Sequence, residues 1–115
     1  MLVFVYGTLK LGHSNSHVLD VSNGELLGDF ITEPKYTMLD LGAFPGVLLE
    51  GEDSIHGEIY EVDTLNYIDH LESYPDFYSR VEIDTTFGKA WMYVLHSEEW
   101  KSHISSGGRI KDGIW

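Results

Sequence analysis

Residues 2–9, Leu2-Val3-Phe4-Val5-Tyr6-Gly7-Thr8-Leu9 (LVFVYGTL), decide how the chain is read. Leu2 to Tyr6 is an unbroken apolar run, rich in β-branched and aromatic residues, and reads as a buried strand. The run breaks at once into Gly7-Thr8-Leu9 and passes to Lys10, Leu11 and Gly12. A plain hairpin would favour Asn-Gly or Asp-Gly at such a point. Glycine beside a small hydroxyl residue points instead to backbone N–H groups turned toward a group that needs donors.

The rest of the chain limits what that group belongs to. With 115 residues, 43% hydrophobic, it has the size and composition of one packed domain without linkers or repeats. It contains no cysteine, which removes disulfides, thiolate metal sites and cysteine nucleophiles. Asp and Glu number 19 against 7 Lys and Arg, a net charge of −12. Phosphate-mediated nucleic-acid binding is opposed by that balance, and the acidity is read first as a solubility device. No apolar run approaches the roughly 20 residues of a membrane span, and no leader pattern is recognised. The expectation is a cytoplasmic protein with neither nucleic-acid nor membrane partners.

Further along, residues 14–20 suggest a short helix capped by Ser14 or Asn15. Glu25 to Ile31, Tyr36 to Leu41 and Ile55 to Val62 read as strands. A loop is expected through Pro45 and Gly46, and a solvated loop over Glu50 to Asp53. Gly57 marks a bulge or a close approach of two backbones. Tyr78 to Phe87 and Ala90 to His96 form a hairpin turned by Gly88-Lys89. The glycine-rich tail ends in Trp115, which suggests that it docks. Many short strands with one good helix indicate an α+β fold built on a small mixed or antiparallel β-barrel flanked by short helices.

That helix lies in "DTLNYIDHLESYP", residues 63–75, with Asp63 as its expected cap and Pro75 as its stop. Leu65, Ile68 and Leu71 recur at helical spacing, and Glu72 falls on the same stripe, while Asp69 and His70 flank it nearer to water. A carboxylate on a core-facing stripe is costly unless it is paired, hydrogen-bonded or kept for proton transfer, and burial would raise its pKa. Two plainer readings stand beside the chemical one. The helix frays at Glu72 and the side chain escapes to solvent, or Glu72 forms a structural ion pair with Arg80. Tyr74, Phe77 and Tyr78 are read either as core and hairpin packing or, for the tyrosines, as hydroxyls that orient Glu72 or a ligand.

Other motif searches return little. His13 and His17 are four apart but lack a third ligand, so no metal site is expected. "GTLKLGHS" lacks the spacing of a phosphate loop, and no elbow marks a serine nucleophile.

Taken together, "VYGTLKLG" and the downstream "LESYPDFYSR" resemble the gamma-glutamylcyclotransferase-like family, in particular its gamma-glutamylamine cyclotransferase branch. The resemblance runs from Leu2 to about Val94. It implies a small β-barrel with a cavity at one end, where the Tyr6-Gly7-Thr8-Leu9 turn holds the α-amino-acid end of a γ-glutamyl substrate with backbone N–H groups. The family's catalytic glutamate falls on Glu72, and the tyrosine six residues on in the amine-type members falls on Tyr78. The implied reaction releases 5-oxoproline and a free amine or amino acid, with neither cofactor nor metal. A non-catalytic γ-glutamyl-binding module on the same fold is the alternative. Many bacterial members carry a Ser-Gly-Asp-Trp-like signature near the C-terminus, where this chain has Ser106-Gly107-Gly108-Arg109.

Overall fold

The computed structural model describes residues 1–7, 9–10, 17–96, 100 and 108–115. In chain order the elements are β1 (Leu2–Val5), α1 (His17–Val21), β2 (Glu25–Ile31), β3 (Tyr36–Asp40), β4 (Pro45–Asp53), β5 (His56–Glu61), α2 (Asn66–Leu71), β6 (Tyr78–Thr85), β7 (Gly88–Leu95) and β8 (Arg109–Ile110). They form a five-stranded sheet in the order β2-β5-β1-β7-β6 and a three-stranded sheet in the order β4-β3-β8. β1 runs antiparallel to β5 and parallel to β7, so the opening strand is interior to its sheet.

Its unbroken apolar run follows from that position, because β1 is covered on both faces. Val3 and Val5 pack with Tyr60, Tyr93 and Leu95, with Leu19 of α1, and with Leu65, the N-cap of α2, and Ile68 within it. Phe4 and Tyr6 pack on the other side with Ile59, Met92 and Val94 and with Met38 and Val47 of the second sheet.

The expected barrel is not closed. β2 and β6 are edge strands, each with one neighbour. Both carry exposed carboxylates, Glu25 and Asp29 on one and Glu82 and Asp84 on the other. Like charges facing across a strand pair disfavour pairing, and charged edges are a common way of keeping strands apart. The sheet still curls far enough for the Phe87 ring to crowd Gly28, where an added Cβ would lie 2.8 Å from Cζ.

Several local expectations also shift. Pro45 and Gly46 open β4 rather than lie in a loop, and Glu50 to Asp53 belong to that strand. The register jumps from Thr37↔Leu48 to Tyr36↔Asp53, so the intervening residues bulge outward, which is why they read as a solvated loop. Gly57 is a close approach and not a bulge: its Cβ would lie 2.3 Å from the Val5 carbonyl oxygen. The irregularity in that ladder falls between Leu26 and Gly28 instead. The β6–β7 turn is Thr86-Phe87, with Gly88 as the first residue of β7 at φ 118°. α1 begins at His17, and the caps expected at Ser14 or Asn15 lie outside the described residues. Asp63 does not cap α2, since its carboxylate accepts the Asn23 side-chain amide at 2.7 Å and the Asn66 N–H goes to Thr64 Oγ1 at 3.1 Å.

The tail docks as expected over residues 108–115. β8 pairs with β3, Arg109 makes a two-pronged contact with Asp53 at 2.7 and 2.8 Å, and Trp115 packs against the second core. Among the described residues no helix is long and apolar enough to cross a membrane.

Candidate active site

The end of β1 brings Tyr6 and Gly7 to one end of the five-stranded sheet. There they meet the C-terminal end of α2, the starts of β4 and β6, and Tyr93 of β7. The cleft between these elements encloses about 30 Å³, and Tyr6, Gly7, Leu9, Glu72 and Tyr78 all line it. Thr8 lies outside the described residues. Residues about 65 positions apart in sequence thus share one small space. Phe4, Val5, Phe44, Pro45 and Tyr93 complete the lining.

The glycine of the turn is required by close packing. A Cβ on Gly7 would stand 2.8 Å from Pro45 Cγ and 2.9 Å from Cδ. The chain after β1 can therefore lie directly against the start of β4. Pro45 is held in turn by Tyr78, whose hydroxyl donates to the Pro45 carbonyl at 2.6 Å. The Tyr6 hydroxyl donates to the Tyr93 carbonyl at 2.7 Å. Burial raises both phenol pKa values, and Glu72 adds to the rise at each. Both tyrosines are therefore neutral, with their protons committed to backbone carbonyls; the Tyr6 oxygen also accepts a backbone hydrogen bond from Val47, and the lone pair still open on each oxygen can act as an acceptor.

Glu72 reaches the cleft through the way α2 ends. It is the C-cap residue, and Ser73 follows in the left-handed region at φ 51°. The Tyr74 N–H bonds the Asp69 carbonyl at 2.9 Å and the Ser73 N–H bonds the His70 carbonyl at 3.2 Å, which together make a Schellman motif. The helix ends here by an ordered reversal, and Glu72 does not fray into solvent. Its side chain is half-buried, and no described residue hydrogen-bonds its carboxylate. Removal from water raises its pKa from 4.5 to about 7.

Arg80 is not its partner. Nη1 of Arg80 lies 3.4 Å from Asp69 Oδ1, and the guanidinium stacks over Tyr74 at 4.4 Å and Trp91 at 4.9 Å from the ring centres. Asp69, expected nearer to water, also accepts the Tyr93 hydroxyl. Its side chain is only 21% exposed.

Sequence reasoning missed Phe44, Pro45 and Tyr93. A signal for Tyr93 was present, since a tyrosine within a buried strand needs a partner for its hydroxyl. Phe44 and Pro45 come from a segment with no motif, placed by contact across the sheets. Phe77 stacks edge-on against Tyr78 at 4.9 Å and packs with Phe44 and Trp100, so it serves as a packing residue. Among the described residues no group of three or more His, Asp or Glu side chains is placed to hold a metal ion. His13 of the i, i+4 pair lies outside them, as do Ser106 and Gly107 of the C-terminal signature.

The family model "Gamma-glutamyl cyclotransferase, AIG2-like" matches residues 3–115. A Vibrio cholerae protein named "Putative gamma-glutamylcyclotransferase" is 51% identical over 110 residues, covering 92% of each chain. The Escherichia coli gamma-glutamylcyclotransferase family protein YtfP is 42% identical over 96 residues, covering 82% of this chain and 81% of that one. The solution structure of E. coli ytfP superposes with a TM-score of 0.75 at 35% identity, covering all of this chain and 96% of that one. An AIG2-like protein from Mus musculus shares the fold, with a TM-score of 0.80 at 23% identity over 99% of this chain and 86% of that one. The α+β arrangement, the motif pair and these matches agree, and the chain belongs to the gamma-glutamylcyclotransferase-like family.

Proposed function

We propose that this protein is a cofactor-independent cyclotransferase that releases 5-oxoproline from a γ-glutamylamine or γ-glutamyl amino acid, with Glu72 as general acid and base. The observation that carries the reading is the Glu72 carboxyl, half-buried in the cleft without a hydrogen-bond partner among the described residues and with its pKa raised to about 7. A group poised near the working pH can both take and return a proton. Family membership supports the reaction class.

In a γ-glutamyl amide the α-nitrogen can close a five-membered ring on the γ-carbonyl carbon. Holding the substrate in that curl makes the attack intramolecular, an advantage of up to about 7–11 kcal/mol for a well-oriented pair. The α-nitrogen arrives as an ammonium and must first lose a proton to Glu72. Its bond to the γ-carbon then forms while the bond from that carbon to the departing nitrogen breaks. Two protons leave the α-nitrogen between ammonium and lactam. Two arrive on the departing nitrogen, which leaves as an ammonium, so charge and atoms balance. Glu72 relays them. Tyr6 and Tyr78, with their own protons committed, offer lone pairs to the ammonium before it is deprotonated. The Tyr6-Gly7-Thr8-Leu9 turn cradles the α-carboxylate with N–H donors. The cleft opens to solvent at a rim where Phe44 is the exposed member at 37%.

The test is a panel of γ-glutamylamines and γ-glutamyl amino acids with 5-oxoproline detected by mass spectrometry, run beside Glu72→Gln. Product from wild type and its loss in the variant is expected. Silence across the panel, with a γ-glutamyl ligand still raising the melting temperature, would leave a binding module. Silence without that protection would remove the γ-glutamyl reading altogether.

A further inference from the structure

We propose that Asp69 is a positioning residue: by tying the last turn of α2 to β7 through Tyr93, it fixes where Glu72 stands in the cleft. This rests on the reading of Glu72 as the acid and base only for its effect on turnover.

Since no described residue hydrogen-bonds Glu72, its backbone must hold its carboxylate in place. That backbone is the end of a six-residue helix, far too short to keep its shape unaided. Ile68, fully buried, seats the helix by apolar contact but leaves rotation about the helix axis and sliding poorly fixed. Among the described residues, Asp69 is the only member of α2 whose side chain hydrogen-bonds the sheet, through the Tyr93 hydroxyl. It lies three residues before Glu72, on nearly the same helical face.

Tyr93 links the parts of the cleft. Its hydroxyl holds Asp69, its carbonyl accepts the Tyr6 hydroxyl at 2.7 Å, and its ring lines the cleft. Its ring also meets Tyr74, the residue that closes the Schellman motif, edge-on at 6.5 Å. Arg80 sits directly opposite Tyr93 in the β6–β7 register and completes the clamp from outside. Its charge offsets that of Asp69, and its plane packs on Tyr74. The reversal that carries Glu72 is thus gripped at both ends, Asp69 before it and Tyr74 after it.

The experiment compares wild type, Asp69→Asn and Asp69→Ala at a temperature where melting curves show all three folded. Displacement of a reacting group by about 1 Å can cost ~100-fold, so Asp69→Ala should lower kcat by roughly 10- to 100-fold with KM within about 3-fold. Asp69→Asn keeps an acceptor for the Tyr93 hydroxyl and should recover most of kcat. An unchanged kcat in Asp69→Ala, or a loss carried by KM, overturns the proposal. If Asp69→Ala does not fold, Tyr93→Phe removes the same hydrogen bond from the other side.

A second arm needs no turnover. Carboxyl-¹³C NMR of glutamate-labelled protein, with the Glu72 signal assigned through Glu72→Gln, follows its titration. The groups facing it are Tyr6 of β1, Tyr78 of β6 and Tyr93 of β7, with Asp69 and Arg80 behind Tyr93. Loss of the tether should release Glu72 to water and bring its midpoint down toward the ordinary 4.5. A midpoint unchanged in Asp69→Ala overturns positioning even if wild type is active. A midpoint that falls while wild type makes no 5-oxoproline overturns the cyclotransferase reading and leaves positioning intact.

Discussion

Two hollows of this molecule invite comparison. The cleft at the end of β1 encloses about 30 Å³, whereas the groove between the β2 and β6 edges is far larger, about 740 Å³. Both are lined by apolar residues with carboxylates among them. In the groove the acids Glu33, Glu82 and Asp84 are all wet, and two of them sit beside a lysine: Glu33 pairs with Lys35 at 3.4 Å and Asp84 with Lys89 at 3.1 Å. In the cleft Glu72 is half-buried and surrounded by neutral tyrosines, without a hydrogen-bond partner among the described residues. Size therefore ranks the two hollows in the wrong order for chemistry. A carboxylate becomes useful for proton transfer where water and partners are withheld from it, and that needs a small, crowded space.

The largest expected difference between the two is in turnover. Glu72→Gln should lower kcat by about 100- to 10,000-fold, the usual worth of a positioned acid or base, while Asp84→Asn should leave it unchanged. A comparable loss from Asp84→Asn in the 5-oxoproline assay would break the distinction.

Next is the pH dependence of stability. The Glu72 carboxyl titrates near 7 in the folded protein and near 4.5 when unfolded. Between those values the folded state binds the extra proton, so this group lowers stability as pH rises through the window. At about 1.4 kcal/mol per pK unit, the penalty reaches at most ~3 kcal/mol above pH 7 and vanishes below pH 4.5. Urea unfolding of wild type and Glu72→Gln from pH 5 to 8 should show the variant gaining relative stability with pH. A constant gap would mean that Glu72 is not desolvated.

Tyr78→Phe is the third case. It leaves the buried Pro45 carbonyl without its donor and should cost about 1–3 kcal/mol in the same unfolding measurement. The exposed Asp84–Lys89 pair supplies the smallest effect, since Asp84→Asn should give no measurable change in melting temperature.

Much of this arrangement was legible in the chain because burial leaves a pattern. Leu2 to Tyr6 read as a strand because both its faces are covered. Glu72 stood out because a charge on an apolar stripe requires a reason. What sequence could not supply was contact between distant segments. Nothing in Phe44-Pro45 announces that Gly7 and Tyr78 will meet it. Barrel closure failed as an expectation because alternation defines faces, whereas closure depends on whether two edges can accept each other. The hairpin turn falls two residues before Gly88-Lys89 because Gly88, with φ 118°, stands just past the turn rather than in it. The helical pattern places Asp69 nearer to water because its partners, Tyr93 and Arg80, come from strands 24 and 11 residues away.

β7 separates the two cores: Trp91, Tyr93 and Leu95 face one, and Ala90, Met92 and Val94 face the other. The amides of its inner stretch, Ala90 to Leu95, can meet solvent only when both cores come apart. With those of β1, which lies between the same two cores, they should therefore be the slowest in the protein to exchange with deuterium, opening with the whole domain rather than by local fluctuation. The exchange rate along this strand would measure the free energy of the entire fold, with no substrate needed.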